Sequence, residues 1–216
     1  MHSFTEENYL KAIYKLQETN GEVVATSALA QVMGVHSPSV TDMLKRMASK
    51  KLVIYQKSKG FKLTEKGRQV AVGIVRKHRL WETFLYEKFE FTWDEVHEVA
   101  EQLEHIHSPK LIEKLDKFLD YPEFDPHGDA IPNAKGELKF QVRKNLSQVA
   151  VGKTCKLIAV KDNTASFLQY VVKVGLGLSS KIKVVSRQEF DGTMEIEVNG
   201  KKSSVSQKFA ENLYVI

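Results

Sequence analysis

Four residues between positions 97 and 105 have side chains suited to binding a cation. His97, Glu101, Glu104 and His105 are offset by four, three and one, which on a helix puts all four within one broad face. His78 and Glu82 lie four apart and share a face of a preceding helix. Two antiparallel helices with these faces opposed would gather carboxylate oxygens and imidazole nitrogens around a divalent ion such as Mn²⁺, Fe²⁺, Co²⁺, Ni²⁺ or Zn²⁺. A single His or Glu on a helix is ordinarily just solvated. The metal reading rests on six such residues on two adjacent helices. Val96, Val99, Ala100, Leu103 and Ile106 supply an apolar face beside them, for packing or for a dimer interface. His107 reads as a cap or a surface residue.

A second constellation suits DNA. Thr26 or Ser27 can cap a short helix running to Met33, and Gly34 supplies a tight turn. Ser37 can cap a second helix whose first position is Pro38 and whose buried face is Val40, Met43, Leu44 and Met47. The small and hydroxyl-bearing Ser37, Ser39 and Thr41 let the backbone approach phosphate and base edges, and the helix N-terminus adds N–H donors. Lys45 and Arg46, one turn on, reach the phosphate backbone. Next comes a strand, a basic turn and a second strand, with Val53 and Tyr55 pairing against Phe61 and Leu63. Lys57, Lys59 and Lys62 in that hairpin would neutralise phosphates. Two short helices about a glycine turn, followed by a basic hairpin, describe a winged helix-turn-helix.

The charge layout agrees. The net charge is +5, but residues 1–77 carry 13 Lys and Arg against 6 Asp and Glu. Residues 78–130 carry 5 against 14, together with five of the seven histidines, and residues 131–216 carry 14 against 7. A basic segment beside one rich in carboxylates and imidazoles predicts a polyanion partner for the first and a cation for the second. The single cysteine, Cys155, excludes an internal disulfide and a four-cysteine zinc site. No apolar run reaches the ~18–20 residues of a transmembrane helix, and the N-terminus lacks a secretory pattern, so a cytoplasmic protein is expected.

The supporting elements follow from periodicity. Residues 5–18 read as a first helix with Thr5 as its cap. A helix of about 20 residues starts near Thr64 or Glu65, another runs from Asp94 to about His107 after the cap Thr92, and a third covers Lys110–Leu119. YPEFDPHGDAIPNAKGE is a turn-rich linker. From Val149 onward, CKLIAV, KIKVVS, MEIEV and SSVSQ read as short strands of a small, strongly bent barrel.

Together TEENYLKAIYKL, VHSPSVTDMLKRMASKKLVIYQKSKGFKLTEKG, RKHRLWETFL and DEVHEVAEQLEHIHS resemble the diphtheria-toxin-repressor family of metalloregulators, including its manganese-responsive branch, from residue 4 to about 132. The resemblance implies a mainly α fold with β: a winged helix-turn-helix over 1–73, a helical metal-binding and dimerisation domain with linker over 74–140, and an SH3-like, FeoA-like barrel over 141–216. It also implies a homodimer that binds a divalent metal and then double-stranded operator DNA, repressing metal-uptake genes. Glu101, Glu104 and His105 match the primary regulatory site, with Asn8 as the first-helix ligand. His78 and Glu82 match an ancillary site with His97, and Asp125, His127 and Asp162 occupy places similar to its further ligands in longer members. Position 101 is Glu where iron-responsive members carry cysteine, which favours Mn²⁺, with Fe²⁺ as the alternative. Asn8 is an amide where manganese-type members have Asp, and Lys11 replaces a carboxylate that some short members use to hold two metals.

The mechanism expected from this resemblance is that metal ties the first helix to the helix of Glu101–His105, and that without it concentrated acidic charge resists closure. A di-iron oxidase is the competing enzyme class, but Glu104-x2-His107 has no second Glu-x2-His to pair with. No P-loop, dinucleotide glycine motif or G-x-S-x-G is present, so no enzymatic activity, organic substrate or membrane partner is expected. A winged-helix regulator of a small organic ligand is a further alternative.

Overall fold

The computed structural model describes residues 2–56, 60–139 and 143–216. Lys57 and Lys59, expected in the wing, lie outside them. The contacts define two compact units. One comprises Met1–His78, Glu101–Pro109 and Pro132–Glu137, the other Arg79–Ala100, Lys110–Ile131 and Leu138–Ile216.

In the first unit, helix α1 spans Phe4–Asn20. Its cap is Ser3, two residues before the expected Thr5. The Ser3 hydroxyl accepts from the Glu6 amide at 3.2 Å while the Glu6 carboxylate accepts from the Ser3 amide at 3.1 Å. This reciprocal box satisfies two donors that Thr5, already inside the helix, could not reach. Helix α2 (Thr26–Met33) follows Ala25 without a side-chain cap, so neither Thr26 nor Ser27 serves as one. Gly34 ends it at φ 64, the left-handed conformation that lets its N–H meet the carbonyls of Ala30 and Gln31. Helix α3 (Ser37–Ser49) follows His36, whose side chain makes no cap, so the helix begins one residue earlier than expected and Ser37 lies inside the first turn beside Pro38.

Leu10, Ile13, Leu29, Val40, Leu44, Met47 and Leu52 form the centre of this unit's core. Truncating any one of the larger of these to alanine costs about 2–5 kcal/mol. Strands β1 (Val53–Gln56) and β2 (Gly60–Leu63) pair antiparallel, Val53 opposite Leu63 and Tyr55 opposite Phe61, as the alternation predicted. Phe61 exchanges both backbone hydrogen bonds with Val24, which brings Gly60 (φ 127) so close that a Cβ would lie 2.2 Å from the Val24 carbonyl oxygen. Helix α4 (Glu65–Lys88) is capped by Thr64, whose hydroxyl accepts from the Gly67 amide at 3.0 Å.

Helix α5 is Val96–Leu103, shorter at both ends than the expected 94–107. The Thr92 carbonyl takes the amides of Glu95 and Val96, so a turn precedes it. Helix α6 (Pro109–Phe118) begins directly after Ser108, and the residue before a proline is pushed out of helical conformation. Because α5 ends at Leu103, Glu104 and His105 sit on the turn that follows it.

The second unit holds a six-stranded antiparallel sheet: β3 (Lys144–Asn145), β4 (Thr154–Val160), β5 (Lys181–Arg187), β6 (Met194–Val198), β7 (Lys201–Val205) and β8 (Leu213–Val215), in the order β3-β8-β4-β5-β6-β7. Register shifts at Leu157/Ala159 and Val184/Ser186 bend it, as bulges do. Two helices absent from the sequence reading close its core: α7 (Ala165–Lys173) buries Leu168 and Val171, and α8 (Gln207–Glu211) buries Phe209. No helix among the described residues is long and apolar enough to cross a membrane.

Candidate metal centre and nucleic-acid interface

Helix α1 places Glu7, Asn8 and Lys11 on one side, since i and i+4 align. Against them in the first unit lie Glu101, near the end of α5, and Glu104 and His105 on the turn beyond it. Glu104 is fully buried and Glu7, His78 and His105 are nearly so. The Lys11 ammonium meets Glu101 Oε1 at 2.5 Å and the two oxygens of Glu104 at 2.6 and 2.8 Å. His78, expected to share a site with Glu82, has its Nδ1 2.6 Å from Glu104 Oε2. Desolvation pushes the nearby Lys77 ammonium below its usual range, opposed by the charges of Glu7 and Glu104. A lysine from α1 thus lies against both carboxylates and offsets their charge.

Glu7 was not singled out by spacing. Its Oε2 lies 2.6 Å from His105 Nδ1 and its Oε1 3.4 Å from His107 Nε2, while His105 Nε2 faces Glu104 Oε1 at 3.9 Å. With the Nδ1 proton donated to Glu7, the Nε2 lone pair is left toward the carboxylate: the carboxylate–histidine arrangement that orients a metal-binding imidazole. Phe4 stacks on the His105 ring, with the centroids 4.6 Å apart. The buried Asn8 Oδ1 has no hydrogen-bond partner among the described residues. An orphaned amide oxygen on the helix whose other residues meet two carboxylates and an oriented imidazole is a donor set that fits a divalent cation with a preference for oxygen ligands.

A second cluster lies within the second unit. Ligand atoms of Glu82, Asp125 and His127, all buried, come within 4.8 Å of one another. His97 Nδ1 is 3.1 Å from Glu82 Oε1, and His127 Nδ1 is 3.7 Å from Glu82 Oε2. His127 Nε2 donates to the Trp93 carbonyl at 2.6 Å, which leaves Nδ1 directed at the cluster. The His127 amide donates to Asp125, and Gly128 follows at φ 84, where a Cβ would lie 2.1 Å from the Ile158 carbonyl oxygen. Burial, helped by the charges of Glu82 and Asp129, pushes the Asp125 carboxyl up to about 7. Burial also depresses His127, but Glu82 and Asp125 outweigh it and raise the imidazole to about 9. Asp162 stands outside this cluster: its Oδ1 accepts from the Thr164 amide at the start of α7.

On the surface of α3, Ser37, Pro38, Ser39, Lys45 and Arg46 are exposed. The Thr41 hydroxyl is turned back onto the Ser37 carbonyl at 3.0 Å, and Lys45 pairs loosely with Asp42 at 3.4 Å. Lys62 on β2 lies 3.5 Å from Glu22.

Comparison with known proteins matches the three segments in turn. Residues 1–61 match the iron dependent repressor, N-terminal DNA binding domain, 64–133 the iron dependent repressor, metal binding and dimerisation domain, and 144–216 the FeoA domain. The iron-dependent repressor IdeR of Mycobacterium tuberculosis is 35% identical over 128 residues, 59% of this chain and 55% of its own length, so the match spans about half of such curated relatives. Two solved structures correspond over nearly the whole chain. A manganese-dependent transcriptional repressor in complex with manganese has a TM-score of 0.82 at 33% identity, covering 98% of this chain and 99% of its own. ScaR with bound Zn²⁺ has a TM-score of 0.75 at 35% identity, covering 98% of each.

Proposed function

The chain belongs to the diphtheria-toxin-repressor family of metal-dependent transcriptional repressors, and from that premise we propose that it is a Mn²⁺-gated repressor of metal-ion uptake genes. It acts in the cytoplasm as a homodimer on double-stranded operator DNA, and it is a regulator, not an enzyme. One observation carries the reading: Glu101, Glu104 and His105 converge, within one compact unit, on the helix that carries Asn8. Glu101, Glu104, His105 and Asn8 would hold the ion, which supplies the positive charge and coordination that fix these groups at one point. Glu7 keeps His105 in the ligating orientation. Holding Asn8 against the turn after α5 fixes α1, on whose core α3 is packed, and α3 presents Ser37, Ser39 and Arg46 to DNA.

Glu82, His97, Asp125 and His127 form the ancillary centre in this proposal. The exposed Phe89 and Phe118, each in contact with Phe84, support dimerisation by offering apolar surface for a second copy. Glu101 supplies oxygen where a thiolate would favour softer ions, so Mn²⁺ is preferred, with Fe²⁺ as the alternative. Calorimetric titration with Mn²⁺ and, without oxygen, with Fe²⁺ tests the reading. Tighter Mn²⁺ binding that is lost in Glu104→Gln is expected. The absence of Mn²⁺ binding, or unchanged binding in that variant, overturns it.

A further inference from the structure

We infer that Lys11 is a tethered counter-ion of the primary centre, preassembling the two carboxylates in the metal-free chain and setting the threshold that a metal must exceed to bind. The inference rests on the proposed metal reading and goes beyond it, because it concerns the state before any ion arrives.

The Lys11 side chain is only 7% exposed. An ammonium has three hydrogens to donate, and three carboxylate oxygens lie within 2.8 Å of its nitrogen: one from Glu101 and both from Glu104. Both Glu104 oxygens are thereby engaged, with Oε2 shared with His78. A cation bound by Glu104 must take an oxygen that Lys11 already holds, since both are engaged, so Lys11 has to withdraw its ammonium from Glu104 when the centre is loaded.

Two consequences follow from charge alone. Without metal, Glu104, buried with 0% exposure, is not left as an uncompensated charge, so its contact with α1 persists instead of springing open. With metal, the net gain is the difference between two cations at one place, which weakens the apparent affinity relative to a site that starts bare.

The test replaces Lys11 by methionine, which keeps the length and apolar stem, and separately by glutamine, which keeps hydrogen bonding without the charge. Metal-free thermal unfolding and Mn²⁺ affinity by calorimetry are measured on the full-length chain. The metal-free melting temperature should fall in both variants, and Mn²⁺ should bind about tenfold or more tightly, the order of a lost close charge coupling. Folded variants whose Mn²⁺ affinity equals or falls below that of the unaltered chain overturn this inference while leaving the metal reading intact. If neither the unaltered chain nor either variant takes up Mn²⁺, both fall.

Discussion

Replacing Glu7 by glutamine removes one negative charge from a carboxylate that touches two imidazoles, at 2.6 Å to His105 and 3.4 Å to His107, and changes almost nothing in size. The amide oxygen can still accept from His105 Nδ1, so what is lost is the ionic part of that bond. A charge-assisted hydrogen bond is roughly twice as strong as a neutral one, whose net worth is about 1 kcal/mol. The expected loss is therefore about 1–1.5 kcal/mol, or roughly tenfold in Mn²⁺ affinity. This sits at the lower edge of the about 10- to 100-fold seen when a group orienting a metal ligand is removed. Calorimetric titration of Glu7→Gln measures it. The exposed Glu18 of the same helix, changed to Gln, separates orientation from bulk charge. Glu7→Gln binding Mn²⁺ within threefold of the unaltered chain, or Glu18→Gln losing as much, refutes the orienting role.

Three further outcomes are expected. Ser3→Ala removes the capping box of α1 and should lower stability by about 1 kcal/mol in urea unfolding. The hydrogen bond from Lys50 holds the Glu6 carboxyl below its ordinary value of 4.5, so this pair adds stability above that pH and loses it as pH falls through the depressed value. Lys50→Met should therefore be less stable than the unaltered chain at neutral pH, with the gap in unfolding midpoint closing under acid. Burial raises the Cys155 thiol, whose Sγ lies 3.5 Å from the Ile182 carbonyl, so iodoacetamide should label it slowly in the native chain and fast in urea.

The winged helix was legible because each of its parts depends on local rules. Val40, Met43, Leu44 and Met47 recur at helical spacing, Gly34 sits where a left-handed residue is needed, and Val53 and Tyr55 alternate against Phe61 and Leu63. Cap positions slipped by one or two residues: at α1 the hydroxyl that meets an N–H is that of Ser3, and at α2 and α3 the cap positions Ala25 and His36 supply no side-chain cap at all. Helices α7 and α8 were missed for another reason. FLQYVVKV is rich in β-branched and aromatic residues, and burial of Leu168 and Val171 in the barrel overrode that preference.

The candidate ligands were legible as residue types, but not in their partners. Helical spacing placed Glu104 and His105 on α5, whereas that helix ends at Leu103 and both lie on the turn beyond it. His78 shares a helix face with Glu82, yet its ring nitrogen meets Glu104, more than 20 positions away in sequence. Glu7 and Lys11 reach their partners across 98 and 93 positions, separations that no periodicity reports.

The central claim is that a divalent ion gates DNA binding through Glu104. Duplexes selected from a random pool in the presence of Mn²⁺ provide a probe, and their affinity for the chain is then measured with Mn²⁺ and with chelator at one fixed salt concentration, which must be stated because phosphate contacts dominate binding. Tight binding with Mn²⁺ that is lost in chelator and in Glu104→Ala is the predicted result. Equal affinity in the two conditions, or undiminished Mn²⁺-dependent binding by Glu104→Ala, would contradict it.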